Sequence, residues 1–409
     1  MRRVLFALAV SVLAPLSLIS AQSCGSSSHS VSGSATAVEV EPILPGAVSV
    51  DEYIPLIEGK KVCILSNQTG MIDDNTHILD TMLSLGINVV SILSPEHGFR
   101  GTADAGELVS SSVDEKTGVP VRSLYDGKGG YPSQETIDEF DVLVFDLQDV
   151  GCRFYTYLTT MTKMMAVCAQ NGKKMIILDR PNPLGFYVDG PILDMQYKSG
   201  VGYLPIPVVH GMTLGELSGM INGEKWLPDG IQCDVTVIKC RNYTHHSKYV
   251  LPVKPSPNLP DMRSIYLYPS MCYFEATPVS LGRGTDKAFQ MYGHPNMIGY
   301  SYSFTPRSIA GAKNPPQLDK KCFGVDLRTK PTIDEINAAG INLEYVIDAY
   351  TNLNLGSHFF RSFFELLIGR DYVRKMIMDG ATAAEIEARW VDDVTAFKAQ
   401  RKPYLLYAE

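Results

Sequence analysis

Between about Val48 and Ile238, short β-branched runs alternate with longer stretches of helical period, which predicts parallel α/β units. Strands are expected at 62–65, 89–93, 142–145, 175–178 and 235–238. Helices are expected at 78–85 and 155–170, stopped near Gly86 and Gly172, and at 213–222, where Thr213 followed by Glu216 has the spacing of a capping box. The Pro-rich stretch 251–260 (LPVKPSPNLP) marks a domain boundary. Beyond it come aromatic, β-prone runs, 265–274 among them, and then amphipathic helices around 344–350, 359–367 and 383–398. No internal repeat is visible.

The N-terminus breaks this pattern. Arg2-Arg3 precedes an apolar run from Val4 to Ile19 and then Ser20-Ala21, the layout of an export signal. Cleavage after Ala21 would free the chain into the periplasm, whereas Ala21-Gln22-Ser23-Cys24 also has the look of a lipobox, with Cys24 as a lipid-anchored residue. Residues 1–21 are read as a signal, 22–47 as a flexible Ser/Gly-rich linker, 48–255 as the first domain and 256–409 as the second. No later run approaches the ~20 apolar residues of a membrane helix.

Composition changes the picture in two respects. With 45% hydrophobic and 20% charged residues in 409, disorder and low complexity are excluded as descriptions of the whole. The 36 Lys+Arg against 44 Asp+Glu leave a net charge of -8, which gives no bulk attraction for nucleic acid. Besides Cys24 there are seven scattered cysteines and no CxxC pair. Cys233 and Cys240 flank a strand and would lie about 20 Å apart, so the cysteines read as small buried hydrophobes.

Candidate chemistry gathers where the strands end. Asn67 follows the first, Glu96 and His97 the second, Asp146 and Gln148 the third, and Arg180 and Asn182 the fourth. A parallel sheet places all of these on its carboxyl edge, where such folds bind ligands. The densest segment, SPEHGFRGTADAGE (94–107), is Gly-rich and holds two carboxylates, Glu96 and Glu107, which suits acid/base sugar chemistry. The segment DLQDVGCRFYTY (146–157) adds amide, Arg153 and Tyr155, groups suited to the faces and hydroxyls of a sugar. Arg153 and Arg180 are candidates for a ligand carboxylate. In the second domain Glu275 follows an apolar run and Arg283 sits in LGRGTDKAF (281–289). His210 and His245-His246 have no recognised metal-ligand spacing, and neither a Walker loop, a GxGxxG turn nor a GxSxG elbow is present. No metal or cofactor is expected.

Seven ordered segments, ILSNQTG, SPEHGFRG, FDLQDVGCRFYTY, LDRPNPLG, VVHGMTLGEL, SPNLP and GRGTDKAF, together with a terminal YLLY, resemble the exo-β-N-acetylmuramidase family NamZ, formerly the domain of unknown function 1343. The resemblance implies a Rossmann-like N-terminal domain, a smaller α+β C-terminal domain and an active-site cleft between them. It also implies a glycosidase that removes terminal N-acetylmuramic acid (MurNAc) from the non-reducing ends of peptidoglycan fragments, with MurNAc–N-acetylglucosamine (GlcNAc) oligosaccharides as partner. By the same resemblance the two acids are Glu96 and Glu107. Glu96 would be the general acid, a role needing a partly apolar, closed cleft. Glu107 would act as base, as nucleophile or as orienter of an internal acetamido group. Arg153, favoured, or Arg180 or Arg283 would read the lactyl carboxylate. A non-catalytic muropeptide- or sugar-binding protein is the alternative, and a metal-dependent amidase or esterase using His97, His210 and Asp146 is a further rival.

Overall fold

Every expected strand of the first half forms. In the computed structural model, which describes residues 41–101, 103–104, 106–127 and 129–409, β1 is Val62–Ser66 and β2 Val89–Ser94. Two unforeseen short strands follow, β3 (Ser112–Val113) and β4 (Pro120–Ser123), then β5 (Val142–Asp146), β6 (Lys174–Leu178) and β7 (Val235–Ile238). The segments expected to be an export signal and a lipid-anchor site at Cys24, and most of the expected 22–47 linker, lie outside the described residues.

The order β3-β4-β2-β1-β5-β6-β7 is parallel except for β3. Because strand side chains alternate, Val62, Ile64, Val142, Val144 and Ile176 pack on one face, beneath α1 (Val50–Ile57) and α2 (Ile78–Ser84). Cys63, Leu65, Leu143, Phe145 and Ile177 face the other way. That side carries α3 (Gln134–Asp138), α4 (Thr156–Gln170) and α5 (Leu214–Gly223). Leu158, Met161, Met164 and Met165 of α4 are fully buried there, each contributing about 1.5–3 kcal/mol. The expected capping box of α5 is present: Thr213 Oγ1 accepts from Glu216 N and Glu216 Oε2 from Thr213 N. All seven described cysteines are buried and free. No described helix is long and apolar enough to cross a membrane.

The second half holds a small antiparallel sheet, β8 (Met291–His294), β10 (Cys322–Asp326) and β9 (Tyr302–Phe304), and helices down to Val391–Arg401. Two expectations are corrected here. Residues 265–274 are helical: α6 runs Met262–Met271, capped by Asp261, whose carboxylate accepts from Ser264 N at 3.1 Å, and a 3-10 turn follows. Its side chains from Ser264 to Met271 are all buried, and burial outweighs their strand propensity. The helix expected over 383–398 is two, Ala383–Glu387 and Val391–Arg401, and the break turns Trp390 inward to donate to Asp189 Oδ1 at 2.9 Å.

The core on the α4 side continues unbroken into the second half, where Tyr273, Phe274 and Phe364 belong to it. The chain's end returns to the first half. Leu406 N and Tyr407 N donate to the buried Glu216, and Tyr407 Oη donates to the buried Asp179 at 2.6 Å. The Pro-rich stretch 251–260 forms neither helix nor strand, but Pro255, Ser256, Asn258 and Leu259 in it are buried, and Pro255 O accepts from Tyr155 Oη at 2.8 Å.

Candidate active site

β2 delivers its chain to the N-terminus of α4. Just past the strand, Glu96 Oε2 accepts from Thr156 Oγ1 at 2.7 Å and Oε1 from Gly106 N at 2.8 Å. His97 stands at φ 71, left-handed backbone that a non-glycine residue rarely adopts, and its Nδ1 lies 2.9 Å from Ala103 O. These contacts fold the 94–107 loop back on itself and fix Glu96 between two cavities. The smaller, about 80 Å³, is lined by Glu96, His97, Tyr155, Tyr268, Glu275 and Arg283. The larger, about 400 Å³, is lined by Glu96, Leu108, Tyr125, Thr160, Lys163 and Val201. Burial and the charge of Glu96 push the Tyr125 phenol up to about 12, so it stays a neutral hydroxyl beside the carboxylate.

In the smaller cavity Arg283 Nη2 donates to Glu275 Oε1 at 2.7 Å, and its guanidinium lies 5.2 Å from the Phe289 ring centroid. Burial opposes the charge of Arg283, and the Glu275 carboxylate more than offsets this, raising its pKa. A guanidinium held by one nitrogen keeps further donors for a carboxylate from outside. Tyr155 lines the cavity with its ring, its hydroxyl being engaged by Pro255.

The other sequence candidates lie elsewhere, and several expectations are corrected. Arg153 is fully buried: Nη1 donates to Pro191 O and Ile206 O, and Nη2 to Leu367 O and Ile368 O, at 2.7–2.9 Å. The last two are terminal carbonyls of the helix Phe363–Ile368, so the cation compensates a helix C-terminus and lines neither cavity. Gly369, at φ 83, permits this approach, since a Cβ there would stand 2.6 Å from Arg153 Nη2. Arg180 is likewise enclosed, with Nε 2.6 Å from Asp146 Oδ1 in an ion pair that holds both groups. Asn67 donates to Tyr157 Oη and accepts from Thr69; Gln148 Nε2 donates to Asp149 O and Pro181 O; Asn182 Nδ2 donates to Met212 O and Oδ1 accepts from Leu184 N. These residues stand on the carboxyl edge as expected, but there they tie the loops that roof it. Glu107 is outside both cavity linings. Its Oε1 pairs with Lys313 Nζ at 2.6 Å, and Lys313 together with Asp104 N holds its carboxyl below the usual range.

Sequence reasoning passed over Tyr268, concealed in a segment expected to be strand, and Thr156, Thr160 and Lys163, which share one face of α4. Their spacing along the helix was the available signal. Among the described residues no group of three or more His, Cys, Asp or Glu can hold a metal ion.

The site is thus an α/β scaffold that presents one carboxylate, Glu96, between an arginine-bearing aromatic cavity and a larger open one, an arrangement compatible with the acid chemistry of a glycosidase. Comparison carries this to a family. Residues 62–263 match "Exo-beta-N-acetylmuramidase NamZ, N-terminal" and 266–407 match the corresponding C-terminal family. The chain belongs to the exo-β-N-acetylmuramidase NamZ family. It is 35% identical over 382 residues, 87% of this chain and 89% of the relative, to the peptidoglycan β-N-acetylmuramidase NamZ of Bacillus subtilis strain 168. Two crystal structures of DUF1343 family proteins from Bacteroides fragilis NCTC 9343 are similar. One has TM-score 0.84 at 59% identity, covering 90% of this chain and 100% of that one. The other has TM-score 0.75 at 28% identity, covering 89% and 99%.

Proposed function

We propose that this chain, a cell-wall glycosidase by family, releases terminal MurNAc from the non-reducing ends of peptidoglycan fragments after export, with Glu96 as the proton donor to the leaving oxygen and Arg283 as the reader of the lactyl carboxylate. The observation that carries this reading is that Glu96 and Arg283 line the same cavity among aromatic rings. A terminal acidic sugar there meets a cation for its carboxylate, Tyr155, Tyr268 and Phe289 for its CH faces, and a carboxyl group at the bond to be cut. Glu275 positions Arg283 through their ion pair. Lys313, which also donates its backbone N–H to Asp104 Oδ2, gives the Glu96 loop a second support from the C-terminal half. Incubating the purified protein with a chromogenic MurNAc glycoside beside its GlcNAc analogue tests the reading. Hydrolysis confined to the former is expected; hydrolysis of neither, or of both equally, overturns it.

A further inference from the structure

Helix α4 carries a second pattern away from Glu96. Thr156, Thr159, Thr160 and Lys163 fall at i, i+3, i+4 and i+7, and all four line the larger cavity. Each threonine hydroxyl donates within the protein: Thr156 to Glu96 Oε2 (2.7 Å), Thr159 to Gly200 O (2.9 Å) and Thr160 to Thr156 O (3.1 Å). What remains for a ligand is their lone pairs, which accept from donors such as sugar hydroxyls or amide N–H groups. The track ends at a cation. At 1.5 Å per residue, Lys163 stands about 10 Å beyond Thr156 along the axis, a length of about two pyranose rings.

Lys163 is half-buried. Its Nζ donates to Gly129 O at 2.8 Å and lies 5.2 Å and 5.9 Å from the ring centroids of Tyr131 and Tyr203. Lys198 Nζ stands 4.0 Å from the same Tyr203 ring, so two ammonium groups flank one aromatic. Among the described residues no carboxylate pairs with either lysine. A half-buried ammonium that among the described residues donates only to Gly129 O, with a second cation beside it, is a site that an anion from outside would satisfy.

We propose that Lys163 reads a carboxylate on the leaving side, borne about two pyranose rings beyond the bond Glu96 acts on, and so selects oligosaccharides whose third sugar is acidic over disaccharides. The inference rests on the reading of Glu96 and Arg283 above, which seats the terminal sugar in the smaller cavity and sends the rest of the chain along α4. In an alternating MurNAc–GlcNAc strand the third sugar again carries a lactyl acid. Tyr131 and Tyr203 supply rings beside the cation.

The test compares MurNAc-GlcNAc with MurNAc-GlcNAc-MurNAc as substrates. For the wild-type protein KM for the trisaccharide is expected to be about 10-fold or more below that for the disaccharide, the effect of one charged hydrogen bond. In Lys163→Met the two values converge, while Lys163→Arg keeps most of the difference, which a merely structural role of the side chain would not explain. Equal KM values in the wild type, or a difference that survives Lys163→Met, overturn the proposal. Should the wild type cleave neither these nor a chromogenic MurNAc glycoside, the glycosidase reading fails on its own. Calorimetric titration with the two saccharides then decides the subsite: tighter binding of the trisaccharide that Lys163→Met removes sustains it, and equal Kd values overturn it.

Discussion

Glu96 is held by two accepted hydrogen bonds at the start of α4, so replacing its carboxylate by an amide preserves shape but removes the proton to be donated. Glu96→Gln is expected to lower kcat by about 10²- to 10⁴-fold on a substrate with a poor leaving group and by less on one with an acidic leaving group. A near wild-type rate on the former excludes Glu96 as the acid. The two arginines separate cleanly by environment. Arg283→Met should slow MurNAc glycosides by about 10- to 150-fold in kcat/KM and GlcNAc glycosides much less, which steady-state kinetics on both will show. Arg153→Met instead strands four buried carbonyls and should cost about 3 kcal/mol or more in denaturant unfolding, since each unpaired group carries a desolvation penalty. Asp149 offers a test by pH. Burial pushes its carboxyl up to about 7, against the donation of Gly151 N and Val150 N, and its Oδ2 has no hydrogen-bond partner. The folded state therefore keeps a proton that the unfolded chain has lost above pH ~4, so this group's contribution falls as pH rises from about 4 to about 7. In Asp149→Asn that part of the decline should vanish, visible as a flatter Tm between pH 5 and 7.5; an unchanged slope would show that Asp149 is ionised in the fold.

At the scale of elements, the terminal segment does more than end the chain. Tyr407 Oη donates to Asp179, which burial raises to about 6, and the neighbouring backbone N–H groups donate to Glu216, which also lies 3.0 Å from His245 Nε2. Tyr407→Phe should therefore destabilise by about 1–3 kcal/mol in equilibrium unfolding, with no altered preference between MurNAc and GlcNAc glycosides. A loss below ~0.5 kcal/mol would mean that Asp179 finds another donor. The five expected strands of the first half were legible because each is a short apolar run bounded by turn residues, and α5 because its cap is a local hydrogen-bond pattern. Helix α6 was not: Ile265, Tyr266 and Tyr268 favour strands locally, and their complete enclosure outweighs that preference in the helix. Strand β3 escaped notice because it is two exposed residues paired only to β4.

For the whole molecule, the continuous core and the returning C-terminus predict cooperative behaviour despite the change of architecture near 251–260. A single calorimetric transition is expected; two well-separated transitions would show that the halves fold independently. This continuity also explains how much of the site could be read in advance. The chain by itself determined the parallel sheet, the burial of the cysteines and the position of Glu96 directly after β2, because alternation, residue size and a Gly-rich turn are properties of neighbouring residues. It equally placed Asn67, Asp146, Arg180 and Asn182 on the sheet's carboxyl edge. Which of these polar groups faces a cavity is a matter of tertiary structure. Arg153, Arg180 and Arg283 are alike as sequence; burial beneath the helix Phe363–Ile368 gives the first to four carbonyls, the enclosed Asp146 takes the second, and only the third keeps donors toward Glu96's cavity. Likewise Glu107 is one residue from the amide that holds Glu96, yet Lys313, 206 positions away, draws its carboxylate outward. A charged group settles where its partner stands, and those partners come from segments distant in the chain that only the folded molecule brings together.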